Sequence, residues 1–201
     1  MTNHPHQHHH HHHHHHQHQH QIDHSTQHKS HLSSSTIPPR RKTREEILAD
    51  FENDLIKFES MSIKIDGHDE ALIFSRNMEP MPQRLYFILP EYCTYHLSLR
   101  YKIKQRPLNK LSYHQTVKKS GIIVDSRDLA MNQCALVNNP YDENDYHEIT
   151  FIPAGTPGGA FLRGEYPAKS IIKEDGKTIW SYKWTIKIVK KADKPQIGGF
   201  D

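Results

Sequence analysis

Few residues in this chain could do chemistry, and most lack the spacing that chemistry requires. Gly176-Lys177-Thr178 matches the end of a phosphate-binding loop, where backbone N–H groups and a lysine hold phosphates. That loop needs a glycine five residues earlier, where Ile171 stands. Gly155, Gly158, Gly159 and Gly164 lack the dinucleotide spacing and read as a turn-rich loop entering a strand. His68, His96, His114 and His147 show no zinc-ligand spacing, and His96 and His114 fall on polar strand positions. Cys93 and Cys134 form no C-x-x-C pair, and no G-x-S-x-G is present. The chain is therefore expected to be a non-enzyme with no catalytic residue, metal site or cofactor.

The run Trp180–Lys191 mixes aromatics with lysines, as a surface that stacks on bases would. Here Trp180, Tyr182 and Trp184 share one face, while Lys183 and Lys187 take the other. Base stacking and phosphate contact need both on one side, so a core strand is the stronger reading. A net charge of +3 is also a weak footprint for nucleic acid.

The elements that position these residues begin after a low-complexity segment. Sixteen of the 20 histidines lie between His4 and His31, nine of them consecutive from His8 to His16. Such a polar tract cannot offset its ordering entropy by burial, so residues 1–39 are expected to be disordered. A metal-chelating tail is weighed against an expanded repeat with no selected role, and the latter is favoured. Residues 40–201 hold 65 apolar residues in 162, enough for an ordinary core. No stretch approaches the ~18 consecutive apolar residues of a membrane span. Two cysteines and no secretory h-region near the start point to the cytosol.

Residues 43–59 are expected to form one helix. Thr43 and Glu46 make a capping box, and Ile47, Leu48, Phe51, Leu55 and Phe58 recur at helical spacing. The period then changes to two. In Thr94–Lys104, Tyr95, Leu97, Leu99, Tyr101 and Ile103 share a face, and Ile179–Val189 repeats the design. Weaker strands are expected at 62–65, 71–75, 84–89, 111–117, 129–137, 148–152 and 164–172. Asp175-Gly176 is a hairpin turn. About nine short strands predict an all-β antiparallel sandwich. The expected division is a tail (1–39), a helical arm (40–60), a sandwich (61–192) and a C-terminal tail (193–201).

Several short motifs, in order, carry a resemblance. They are Phe87-Ile88-Leu89, Glu91, Tyr95, Leu111-Ser112-Tyr113-His114-Gln115, Lys119, Gly121, Val124-Asp125, Gly158 to Tyr166, Lys169-Ser170 and Trp184-Thr185-Ile186-Lys187. Over residues 84–191 the chain resembles the Rho GDP-dissociation inhibitors. The resemblance implies an immunoglobulin-like sandwich that holds a geranylgeranyl group. It also implies an N-terminal arm on the switch regions of a prenylated Rho- or Rac-type GTPase, held in the cytosol with GDP release blocked. By family position, Phe87, Leu97, Leu99, Tyr101, Tyr182 and Trp184 are the prenyl-pocket candidates. Asp50, Asp54, Asp125, Glu174 and Asp175 are the GTPase-binding candidates, the last three near the GTPase tail. Pro153-Ala154-Gly155-Thr156-Pro157 has no acid where the family pairs two glutamates. A monomer without stable membrane insertion is expected. A general carrier of prenylated proteins is the alternative, and a nucleic-acid-binding β domain is a third reading from another class.

Overall fold

The structure, a computed structural model, describes residues 40–201; the His-rich segment lies outside the described residues. The chain opens with α1 (Arg44–Ala49), followed by β1 (Ile56–Ile65), β2 (Leu72–Ser75), β3 (Tyr86–Pro90) and β4 (Thr94–Ile103). Next come β5 (Leu108–Asn109), β6 (Leu111–Lys119), β7 (Ile122–Ala130), β8 (Cys134–Ala135), β9 (His147–Thr150) and β10 (Ala154–Gly155). A short 3-10 turn (Ala160–Leu162) leads into β11 (Gly164–Glu174), β12 (Lys177–Val189) and β13 (Gln196–Ile197).

One sheet runs β10-β4-β1-β2, with β9 also on β4; the other runs β13-β3-β12-β11-β6-β7. This is the expected all-β, immunoglobulin-like sandwich. The inward positions of both sheets fuse into one core. Ile63, Leu97, Leu99 and Tyr101 come from the first sheet, and Phe87, Tyr113, Ile172 and Trp184 from the second. Each such side chain contributes roughly 1.5–3 kcal/mol by leaving water. Asp175 and Gly176 both take positive φ (46° and 79°), as the two-residue turn joining β11 to β12 requires. β3 pairs with β12 in parallel, an exception within an otherwise antiparallel sandwich.

The helix expected over 43–59 is corrected. Its capping box forms, with Glu46 N–H donating to Thr43 Oγ1 at 3.3 Å and Thr43 N–H donating to Glu46 Oε2 at 2.7 Å. It ends at Ala49, however. Asn53 Oδ1 accepts from the N–H groups of both Leu55 and Ile56 at 2.9 Å, an Asx turn that competes with helix. Phe58 then belongs to β1, which lies between β4 and β2, so the boundary expected after Ser60 falls inside a central strand. Ile47 and Phe51 are buried against the sandwich, with Phe51 4.2 Å from the Tyr182 ring.

Two further expectations differ. The strand expected at 129–137 is instead β7, starting at Ile122, plus the two-residue β8. β7 is an edge strand with both faces largely exposed, so selection for burial leaves no alternation to read. The C-terminal tail joins the second sheet: Ile197 pairs with Phe87, and Gly198 N–H donates to Tyr86 O at 2.9 Å.

Candidate functional site

At one end the two sheets part around a crevice of about 500 Å³. Its walls are inward positions of four strands: Tyr95 of β4, Val117 of β6, Tyr166 of β11, and Ile186 and Ile188 of β12. The register places Tyr166 opposite Ile186, and Gly164, which has no side chain, opposite Ile188. The rim is more polar, with Lys119, Asp125, Arg127 and Thr156 beside Val124 and Leu162. An apolar cleft of this size with a few polar groups at its mouth is the usual form of a site for an apolar ligand.

The loop along one lip, residues 155–164, is fixed by a buried carboxylate. Glu91 is 5% exposed. It accepts from Arg163 Nη2 at 2.7 Å and Nε at 3.1 Å, and from Gly159 N–H at 2.8 Å. Arg163, and then the Gly159 amide, push the Glu91 carboxyl down to about 2. Thr156 Oγ1 accepts from Cys93 N–H at 3.0 Å and donates to Pro90 O at 2.7 Å. The ring of Tyr92 fills the space a Cβ on Gly158 would need, so a residue without a side chain lets the loop close over it. On the other side of the mouth, Lys119 Nζ donates to Arg163 O at 2.6 Å and lies 4.4 Å above the Tyr166 ring. The hydroxyl of Tyr166 donates to Leu162 O.

The pocket candidates named from sequence divide into two groups. Phe87, Leu97, Leu99, Tyr101 and Trp184 all lie in the closed core. Phe87 and Trp184 meet edge-on at 6.0 Å; Phe87 is level with Ile186 in the β3–β12 register, and Trp184 is one inward position further along β12. The Tyr101 hydroxyl is buried without a partner among the described residues, and burial raises its pKa to about 12. Tyr182 sits elsewhere, between Phe51 and Trp180, and burial raises its pKa. The apolar walls of the open crevice, Tyr95, Val117, Tyr166, Ile186 and Ile188, are not among the sequence candidates. Their signal was present, because they occupy the same alternating faces as the ones chosen.

The acidic candidates also separate. Asp125 is on the crevice rim, where Arg127 Nη2 meets it at 2.7 Å. Glu174 and Asp175 are at the far end of β11. Val117 is paired with both Asp125 and Ala168, and Glu174 lies six residues beyond Ala168, roughly 20 Å along the strand. Glu174 is bound by Arg106, Nη1 at 2.8 Å and Nη2 at 2.6 Å, which lowers its pKa. Asp175 faces Lys110 at 3.3 Å. Asp50 caps α1 and pairs with Lys42 at 2.6 Å, while Asp54 is exposed in the following turn. The three acids expected near one tail therefore do not form one cluster.

The protein is thus an all-β sandwich with an apolar crevice between its sheets. The family model described as "RHO protein GDP dissociation inhibitor" matches residues 9–191, and the chain belongs to that family. It is 23% identical over 133 residues to a Rho GDP-dissociation inhibitor of Schizosaccharomyces pombe, covering 65% of this chain and 62% of the relative. It is 30% identical over 104 residues to the Saccharomyces cerevisiae Rho GDP-dissociation inhibitor (51% and 50%). It is 25% identical over 138 residues to Rho GDP-dissociation inhibitor 1 of Arabidopsis thaliana (68% and 54%). The chain thus spans between half and about three-fifths of each of these relatives. No helix among the described residues is long and apolar enough to cross a membrane.

Proposed function

We propose that this protein is a regulatory binding protein that holds prenylated Rho- or Rac-type GTPases, slows GDP release and keeps them in the cytosol. The observation that carries this reading is the apolar crevice walled by Tyr95, Val117, Tyr166, Ile186 and Ile188. A geranylgeranyl chain enters there, and the layer formed by Phe87, level with Ile186, and Trp184 beyond it meets its far end when the sheets part further. Leu97, Leu99 and Tyr101 back that layer from the opposite sheet. About twenty carbons at ~0.8 kcal/mol each give up to ~15 kcal/mol gross, enough to compete with a bilayer. Opening and ordering reduce the net figure. Family membership and the absence of catalytic signatures in the sequence support a role as inhibitor rather than enzyme.

The arm, residues 40–50 including Asp50, faces the GTPase in this reading, with Asp54 in the turn just beyond it. Among the tail contacts, Asp125 lies at the mouth, whereas Glu174 and Asp175 lie roughly 20 Å away along β11, a span that takes about six extended residues of tail.

Binding of the same GTPase in prenylated and unprenylated form tests the proposal. Val117→Phe fills the crevice mouth without adding charge. It is expected to weaken the prenylated form at least tenfold and leave the unprenylated form unchanged. Equal affinity of the wild-type protein for both forms would overturn the crevice assignment.

A further inference from the structure

The outer face of the second sheet, away from the crevice walls, holds a separate cleft of about 700 Å³. Arg84, Lys118, Lys169 and Lys183 line it, with the hydroxyls of Thr116 and Thr185 between them. No carboxylate is among its lining residues. Lys169 stands directly opposite Lys183 in the β11–β12 register. Like charges in that relation destabilise a sheet, so an unligated protein carries an uncompensated repulsion there. None of the four cations forms an ion pair among the described residues. Asp201 borders a different cleft that Arg84 also lines, and two other nearby acids are already engaged. Asp50, in the adjoining cleft, is held by Lys42, and Glu165 accepts from the Tyr86 hydroxyl at 2.8 Å.

We propose that this cleft is a binding site for the multiply phosphorylated headgroup of a membrane lipid. Four cations around one concavity match a ligand with several negative charges better than a singly charged one. The bilayer source is favoured by the neighbouring edge. Ile123 lies opposite Lys118, lines the cleft and is 57% exposed; Ile122 and Val124 beside it are 71% and 53% exposed. Cations next to exposed apolar side chains suit the boundary between headgroups and acyl chains. The site would hold the protein at the membrane from which, in the reading above, a prenylated partner is drawn. Apart from Val124 at the crevice rim, which no variant below alters, it uses no residue of the crevice, so its failure leaves that reading intact.

The test is flotation of the full-length protein with phosphatidylcholine vesicles, with and without phosphatidylinositol bisphosphate. Mildly alkaline pH keeps the histidine tract neutral. Binding is expected only with the phosphorylated lipid, and soluble inositol trisphosphate should compete. Each removed cation is worth about fivefold near an anionic surface, so Lys169→Glu with Lys183→Glu should weaken binding at least tenfold. Lys118→Gln, a milder change, should weaken it about fivefold. Ile123→Ser should reduce vesicle binding but leave inositol trisphosphate binding unchanged. Equal binding to both vesicle types, or undiminished binding by the Lys169/Lys183 variant, overturns the site. Binding of inositol trisphosphate without vesicle binding overturns the membrane assignment.

Discussion

Arg163 grips Glu91 with two parallel hydrogen bonds, Nη2 to Oε1 at 2.7 Å and Nε to Oε2 at 3.1 Å, and so ties the crevice lip to the end of β3. Because the pair holds the Glu91 carboxyl at about 2, against 4.5 for the ordinary group, its contribution to stability depends on pH. It is fully present above the ordinary value and is lost as pH falls through the folded one. Glu91→Gln is expected to lower the melting temperature at neutral pH. The gap from wild type should close between about pH 4.5 and pH 2. A pH-independent gap in thermal melts would show that the charge of Glu91 does not matter.

Trp184 is bound to the core by more than its area. Its Nε1–H donates to Ser170 Oγ at 2.8 Å, and the Tyr113 hydroxyl meets the same oxygen at 2.5 Å. Trp184→Phe removes one bond but leaves Ser170 with a partner, so a loss of about 1–2 kcal/mol is expected. Trp184→Ala also leaves a cavity and should lose about 3–5 kcal/mol. Urea denaturation separates the two. Near-equal losses would mean that the site collapses around the smaller residue.

The acid-free stretch beside the crevice can be recharged at one position but not at its neighbour. Nothing lies within 4 Å of a Cβ built on Gly155, whereas Thr156 is 8% exposed and bonded on both sides. Gly155→Glu is expected to keep the fold and raise the preference for GTPases with strongly basic tails. Thr156→Glu should destabilise the lip by burying a charge and breaking two bonds. The wild-type protein, with Asp125 already paired to Arg127, should discriminate little between tails. Binding to tail-charge variants at low and physiological salt reads this out. A steep salt dependence in the wild type would contradict it.

The N-terminal boundary of the folded part can be located by truncation. Removing residues 1–49 takes away α1 and the buried side chain of Ile47 but leaves β1 whole. That product should fold with a lowered melting temperature and inhibit nucleotide release poorly. Removal through Ser60 cuts β1 in half between β4 and β2 and should not fold cooperatively. Circular dichroism melts of both products decide this, and a stable fold after the longer deletion would show β1 to be dispensable.

The sequence by itself determined the sandwich, because one-sided burial writes a period of two into strands such as β4 and β12. It also determined the β11–β12 turn, whose positive φ angles need Asp-Gly, and the start of α1, whose capping box is local chemistry. The end of that helix was decided by tertiary structure. Phe51 and Phe58 fit helical spacing, but pairing of β1 between two strands and the Asn53 turn outweigh one amphipathic face. The edge strand β7 was hidden for the opposite reason, since with little burial there is little pattern. For the site, the inward faces were legible, but alternation cannot distinguish a wall of the crevice from closed core. Ile186 and Trp184 are two residues apart on one face, and only the parting of the sheets puts the first in the cleft and the second beneath it. Likewise, nothing local places Asp125 and Glu174 at opposite ends of a sheet or joins Glu91 to Arg163. Those relations depend on strand register across long stretches of chain, which the fold alone fixes.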